Sequence, residues 1–127
     1  MKKIGFITTN KVLAQSFAAA VKSNPKLGFE PFLLLDPHQA PLDTEVLKID
    51  AAIVDVTDGV SNKAETILSF CEKLRVTVPG CRLLLLVSQN DKSGQKMAIG
   101  AIKNKVADDF VFYDTSLEYL FAKLAAF

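Results

Sequence analysis

The segment 81–88, CRLLLLVS, constrains the fold more than any other part of the chain. A strand with one face in water alternates apolar and polar residues, whereas this segment shows almost no alternation, so both of its faces are buried. That pattern is typical of a central strand in a parallel sheet. The segment 49–56, IDAAIVDV, is a second buried run, and it leads into Asp55. The sequence therefore predicts a sheet that is covered on both sides.

Three further strand-like segments alternate with helical ones: KKIGFIT, FEPFLLLD and DDFVFY. Pro31, in the second of them, fits an edge strand because proline has no N–H to give to a neighbouring strand. Asn10, Asp43, Ser61 and Thr115 are predicted to cap four of about five helices. Because each crossover helix has to pack back on the sheet, the alternation predicts an α/β fold. We expect a three-layer α/β/α sandwich with a five-stranded parallel sheet, formed by a single domain over residues 1–127.

The composition of the chain argues against several classes of function. The net charge of +1 provides no general field that would attract nucleic acid or an anionic membrane. Two cysteines without C-x-x-C spacing, Cys71 and Cys81, and a single histidine, His38, argue against a zinc site and for a reduced compartment. The apolar run IGFI is too short for an export signal and LLLLV too short for a membrane helix. We therefore expect a cytoplasmic protein.

The carboxyl ends of the predicted strands are where chemistry is expected, because the functional crevice of open α/β sheets lies at that edge. The residues at or just after these ends are Thr8, Thr9, Asn10, Asp55, Thr57, Ser88, Gln89 and Tyr113. Asp55 is the carboxylate among them. From the residues alone, Asp55 is either a reactive group or a solvated strand end.

The whole chain resembles the receiver domain of two-component response regulators, a flavodoxin-like fold with strand order 2-1-3-4-5. AAIVDVTDG is similar to the segment that carries the phosphoacceptor aspartate of that family, which makes Asp55 the candidate acceptor. VADDFVFYDTSLEYLFAKL is similar to the last strand and helix of the family. Ser88 falls where the family places a switching serine or threonine, and Tyr113 is a second candidate switch residue.

Two parts of the family's phosphorylation site are missing from this sequence. The acidic pair that holds Mg²⁺ aligns with Thr8, Thr9 and Asn10, and the first carboxylate in the chain is Glu30. Mg²⁺ prefers carboxylate oxygens, so this pocket is expected to hold no metal. The lysine that pairs with the phosphoryl group aligns with Tyr113. The resemblance therefore implies a degenerate receiver, or pseudo-receiver, in which Mg²⁺ is needed only if Asp55 is phosphorylated.

The last helix carries more apolar side chains than one buried face requires. This surplus indicates an interface, with Leu117, Tyr119, Leu120, Phe121 and Phe127 as the candidates. The resembled family forms symmetric dimers through its fourth helix, fifth strand and fifth helix, and we expect the same homodimer here. Four lysines on or beside the fourth helix, at positions 92, 96, 103 and 105, form either a solvated face or a docking face.

Three functional hypotheses follow. The leading one is a non-enzymatic signalling domain that acts through protein contacts, with a sensor kinase or an output domain as partner, and that binds no nucleic acid, membrane or cofactor. The chain would then be able to form the N-terminal part of a longer regulator. The second is a working receiver in which Asp55 accepts phosphate and Thr8, Thr9 and Asn10 hold the metal through water. The third is a small flavodoxin-like cofactor binder, in which the TTN loop cradles a phosphate at a helix N-terminus.

Overall fold

The computed structural model describes residues 1–56 and 64–127, with side chains from 68 onward in the second part. Strands and helices alternate along the chain as predicted. Their bounds are β1 Lys2–Ile7, α1 Lys11–Lys22, β2 Phe29–Leu34, α2 Ala40–Leu47, β3 Ala51–Asp55, α3 Ala64–Thr77, β4 Arg82–Val87, α4 Lys92–Lys103, β5 Asp109–Phe112 and α5 Leu117–Ala126.

The five strands form one parallel sheet in the order β2-β1-β3-β4-β5, which confirms the predicted topology. β2 is an edge strand, and it accommodates Pro31 opposite Ile4 as predicted. β1 and β3 lie side by side, with Ile7 opposite Val54. This register brings the residue after β1, Thr8, next to Asp55 at the end of β3.

A separate apolar core covers each face of the sheet, so the three-layer architecture is confirmed. β4 contributes to both cores. Leu83, Leu85 and Val87 point to the layer that contains α3 and α4, and Leu84 and Leu86 point to the layer that contains α1 and α5. All five side chains are at most 5% exposed, which is why the segment lacks the alternation of a half-exposed strand.

Aromatic rings fill the core between the sheet and helices α1 and α5. Phe17 packs edge-to-face on Phe6 at 5.1 Å between ring centroids and contacts Phe121 at 6.2 Å, and Phe121 also meets Phe29. Such ring pairs add about 0.5–1.5 kcal/mol each beyond the burial of their surface. Helical spacing alone would also place Val12 on the buried face of α1, but its side chain is 75% exposed.

The predicted helix starts are only partly correct. Asn10 caps α1 as expected, because its side chain accepts a hydrogen bond from the N–H of Leu13. α2 begins at Ala40, ahead of the predicted cap Asp43, since Pro41 is tolerated in a first turn where its missing N–H costs nothing.

The predicted caps of the third and fifth helices have different outcomes. α5 is capped by Ser116, whose hydroxyl accepts from the N–H of Tyr119, and not by Thr115. The predicted cap of the third helix, Ser61, lies outside the residues that the structure describes.

Asp108 is the centre of a polar network at the amino end of the sheet. One carboxylate oxygen accepts from the guanidinium of Arg75 and from the backbone N–H of Leu83, both at 2.8 Å, and the other lies 3.4 Å from Arg82 Nε. Arg75 also donates to the carbonyl oxygens of Cys81 and Val106. Asp108 therefore links α3 to β4 through side-chain and backbone contacts.

Cys71 and Cys81 are free thiols, both buried. Burial raises the pKa of each thiol to about 12, because the interior disfavours the thiolate. Unreactive thiols of this kind serve packing.

The described helices include none that is long and apolar enough to cross a membrane.

Candidate functional site

Three strand ends meet at the carboxyl edge of the sheet. Asp55 is the last residue of β3, Thr8 follows β1 directly, and Tyr113 follows β5 directly. Asp55 is only 2% exposed and Thr8 is fully buried. A buried carboxylate requires hydrogen-bond donors around it, so the partners of Asp55 decide what the site is able to do.

Thr8 supplies the first partner. Its hydroxyl donates to Oδ2 of Asp55 at 2.6 Å and accepts a 3.0 Å hydrogen bond from the N–H of Asn10. Charge-assisted bonds between a hydroxyl and a carboxylate are short and strong, and 2.6 Å lies in their usual range. The TTN loop is therefore tied to Asp55 through the side chain of Thr8.

Tyr113 supplies the second partner. Its phenol donates to Oδ1 of Asp55, and its backbone N–H donates to the carbonyl of Val87 at 3.0 Å. The ring of Tyr113 packs against the aromatic core between α1 and α5. Both oxygens of Asp55 are thus engaged by hydroxyl groups from neighbouring chain segments.

These contacts change the meaning of two predicted site residues. The sequence suggested that Thr8 is a lost metal ligand and that Tyr113 is a lost phosphate-binding group or a switch. The structure brings both into direct contact with Asp55, which the sequence reasoning missed. The available signal was the presence of hydroxyl side chains at two strand ends of the same sheet edge. Thr9 is exposed, and its side chain has no described hydrogen bond to Asp55.

The described side chains around Asp55 are not a donor set that fits Mg²⁺. Hard cations of this size take carboxylates and water in a regular octahedron. Within the described ranges 1–56 and 64–127, no group of three or more potential metal ligands comes together. The oxygens of Asp55 already accept from Thr8 and Tyr113. Two sequence neighbours, Thr57 and Asp58, lie outside the described residues.

Ser88 lies just beyond β4 at the same edge. Its hydroxyl accepts from the N–H of Asn90 at 3.2 Å, and its carbonyl accepts from the side chain of Gln95 at 3.2 Å. Ser88 thus makes the local backbone contact that is typical of serine in a loop. Its role as a switch residue stays a prediction.

A small apolar cavity adjoins the site. It has a volume of about 110 Å³ and lies between α1 and α5, with the side chain of Tyr113 in its lining. Phe6, Phe17 and Leu120 contribute apolar walls. Tyr113 therefore contacts both the carboxylate and an apolar space.

The interface candidates on α5 separate into two groups. Leu120 and Phe121 are 6% and 7% exposed and belong to the aromatic core, so their assignment to a surface is wrong. The surplus of apolar residues misled the sequence reasoning because α5 buries a wide face against α1 and the sheet. Leu117 and Tyr119 are each 50% exposed. Phe127 is partly buried, with the guanidinium of Arg82 5.3 Å above its ring.

No model of a known protein family and no curated protein matches the sequence. Solved structures do match over almost the whole chain. A two-component response regulator from Clostridium difficile is 21% identical, with a TM-score of 0.77 and coverage of 99% of this chain and 94% of its own. A CheY-like response regulator receiver domain protein from Methanospirillum hungatei JF-1 is 14% identical, with a TM-score of 0.77 and coverage of 99% and 92%.

A third match is the Vibrio cholerae chemotaxis protein CheY4, which is 17% identical, with a TM-score of 0.74 and coverage of 99% of this chain and 98% of its own. At these identities the likeness concerns the fold. The chain therefore has the fold of response-regulator receiver domains, with the Asp55 carboxylate at the end of β3 and two hydroxyl groups in contact with it.

Proposed function

We propose that this chain is a non-enzymatic signalling domain of receiver fold that acts through protein contacts and does not undergo Mg²⁺-dependent phosphorylation on Asp55. The observation that carries the proposal is the 2.6 Å hydrogen bond from the Thr8 hydroxyl to Asp55, in the place where a receiver needs a metal-binding carboxylate. A sensor kinase or an output domain is the class of partner that the fold suggests.

Chemistry supports this proposal. Transfer of a phosphoryl group to a carboxylate brings two anionic groups together, and a divalent cation normally neutralises their charge. Thr8 and Tyr113 provide no positive charge, and their hydroxyls occupy the carboxylate oxygens that would attack phosphorus. Asp55 is also 2% exposed, so a phosphodonor has little access to it.

The working receiver is the rival hypothesis. It requires Thr8 and Tyr113 to release Asp55, and it requires the TTN loop to hold a metal through water. The cofactor binder requires free N–H groups at the start of α1. Two of those groups, on Asn10 and Leu13, already donate to side-chain oxygens of the same loop.

The test is the intact mass of the protein after incubation with acetyl phosphate and Mg²⁺. We expect no phosphate adduct on the wild type. Asp55→Asn shows whether any adduct depends on Asp55, and Asp114→Asn is a matched control at an exposed carboxylate of the same sheet edge. An adduct on the wild type and on Asp114→Asn, absent from Asp55→Asn, would overturn the proposal.

A positive control makes the negative result meaningful. The variant Thr8→Asp/Thr9→Asp/Tyr113→Lys restores the acidic pair and the lysine that the resemblance implies. We expect this variant, checked for folding by circular dichroism, to take up Mg²⁺ and to acquire an adduct that the wild type lacks.

A further inference from the structure

The outer face of α4 carries one sign of charge around one apolar side chain. Lys92, Lys96, Ile99 and Lys103 follow one another at spacings of four, three and four residues, and all four are exposed. We call this set the α4 lysine stripe. At 1.5 Å per residue it extends over about 17 Å. The opposite face of the helix packs on the sheet through Met97, Ala98 and Ala101.

The positive charge of the stripe is uncompensated within its own helix. The sequence of α4, KSGQKMAIGAIK, contains no acidic residue. The preceding residue, Asp91, uses its carboxylate to accept the N–H of Gly94 and so caps the helix. Lys105, just beyond the helix, adds a fourth exposed lysine. Like charges on one helix face are destabilising, so the stripe costs folding energy unless a partner neutralises it.

The two described aspartates at β5, the neighbouring strand, form ion pairs with other groups. Asp109 of β5 pairs with Lys123 of α5, and Asp108, which directly precedes β5, pairs with Arg75 and Arg82. In the part of the chain whose side chains are described, none of the recorded ion pairs includes a lysine of the stripe.

We propose that the α4 lysine stripe docks an acidic segment of a protein partner, which places carboxylates against the three lysines and an apolar side chain against Ile99. The inference rests on the proposed function, since it names the partner chemistry of a domain that acts through protein contacts. Ile99 is 44% exposed in the middle of the stripe. A partner that offered only charged side chains would leave Ile99 without an apolar contact. Complementary charges across an interface mainly set the rate of association and the choice of partner.

The same features argue against other occupants. Nucleic acid is bound by larger numbers of basic groups, often arginines that contact phosphate with two hydrogen bonds, whereas the stripe has only lysines and the chain has a net charge of +1. A second copy of the chain brings a second set of four lysines. The exposed acidic residues on the adjacent β5 and α5 side are Asp114 and Glu118, too few to balance them. The homodimer expected from the resemblance is therefore the less favourable arrangement.

The probe for this surface is a synthetic 14-residue helical peptide with glutamates at spacings that match Lys92, Lys96 and Lys103 and one leucine that matches Ile99. Its binding to the intact chain is followed by fluorescence anisotropy. We expect measurable affinity for the wild type and at least a tenfold loss for Lys96→Gln/Lys103→Gln. Ile99→Ala should lower affinity about fivefold. A tenfold weaker affinity for a scrambled peptide of the same composition is expected as well.

The matched control is Lys22→Gln/Lys26→Gln, which removes the same charge from exposed positions on the other side of the molecule. This variant should bind like the wild type. Equal losses in the two double variants, or no binding of the designed peptide, would overturn the inference. Tighter binding of a 20-base-pair duplex or of anionic vesicles through the same lysines would do so as well.

Sedimentation velocity on the wild type and on Lys96→Gln/Lys103→Gln tests the second copy. If the wild type forms a dimer and the variant forms less or more of it, the stripe belongs to a self-association interface and the inference is overturned. The peptide and phosphorylation experiments fail separately. If Asp55 acquires an adduct and the peptide still binds, the proposed function is wrong in its lack of phosphorylation and the docking surface stands. If Asp55 acquires no adduct and the peptide does not bind, only the docking surface is wrong.

Discussion

Two aspartates at opposite ends of the same sheet are held in different ways. At the amino end, Asp108 is about one-fifth exposed and contacts two guanidinium groups and a backbone N–H. At the carboxyl end, Asp55 is almost fully buried, and its two described partners are the hydroxyls of Thr8 and Tyr113. The more deeply buried carboxylate thus has the weaker described donors. The degree of burial therefore does not reveal which carboxylate stabilises the fold, whereas the chemistry of its partners does.

The largest effect is expected when Asp108 loses its charge. Asp108→Asn should lower the free energy of unfolding by about 2–3 kcal/mol, because it leaves the partly buried Arg75 without its counter-charge. The half-exposed Arg82 adds little to this figure. Urea unfolding measures the change, and the exposed Asp114→Asn is the control, with an expected change below about 0.5 kcal/mol. Equal stabilities of the two variants would remove the distinction between the two ends.

The next largest effect is expected when Asp55 loses one of its hydroxyl partners. Thr8→Val keeps the shape of the side chain but removes the donor to Asp55 and the acceptor for Asn10, so we expect a loss of about 2 kcal/mol. Tyr113→Phe removes one hydrogen bond and should cost about 1 kcal/mol. A double-mutant cycle in urea unfolding measures the coupling between the two hydroxyls. A cycle without coupling would show that Thr8 and Tyr113 hold Asp55 independently.

An alkaline titration tests the amino end. Burial raises the pKa of the Cys81 thiol from 9.0 to about 12, and the positive charge of Arg75 offsets only part of this rise. The unfolded chain therefore ionises this thiol first, and stability is intact below pH 9 and falls as the pH rises toward 12. The loss is at most about 1.4 kcal/mol per pH unit. Comparison of Cys81→Ala with the wild type at pH 8 and 10 should give a smaller pH dependence for the variant, and identical slopes would contradict the prediction.

The smallest effect is expected at Asp55 itself. Asp55→Asn replaces the buried carboxylate with a neutral group of the same shape, in which the amide oxygen accepts from one of the two hydroxyls and the amide N–H donates to the other. We expect the free energy of unfolding to change by less than about 1 kcal/mol, since the cost of burying a charge disappears together with the stronger hydrogen bonds. Urea unfolding of this variant beside Asp108→Asn gives the comparison directly. A loss of stability in Asp55→Asn as large as that in Asp108→Asn would contradict the proposed difference between the two aspartates.

The sequence was a good guide to the strands and a poor one to the helix starts. Continuous apolar runs such as CRLLLLV identify buried strands because both faces of the sheet are covered. The strand order came from the resemblance to receiver domains, since apolar pattern alone does not define neighbours. The cap of α5 was misplaced because Thr115 and Ser116 both have side chains that are able to cap, and only backbone geometry selects one of them. α2 begins ahead of Asp43 without any side-chain cap, so no capping residue marks its start.

The candidate site was predicted in its position and not in its contacts. Asp55 was placed correctly at the end of a buried strand. Its two described partners lie 47 and 58 positions away in the sequence, on two other chain segments. The bonds depend on the register of β1 against β3 and on the direction in which Tyr113 points from β5. Neither quantity is encoded in local sequence patterns, so Thr8 was interpreted as a missing or indirect metal ligand or as part of a phosphate-binding loop, and not as a partner of Asp55.

The contact between Lys2 and the end of α5 has a consequence for synthesis on the ribosome. The ammonium group of Lys2 donates to the carbonyl of Leu124 at 3.0 Å, across 122 positions of sequence. Phe6 and Phe17, which are translated early, likewise lie in the core that Phe121 helps to close. Domains whose contacts are distant in sequence fold late, since loop closure has to precede the contacts that reward it. The aromatic core on this face of the sheet is therefore incomplete on the ribosome until α5 has been synthesised.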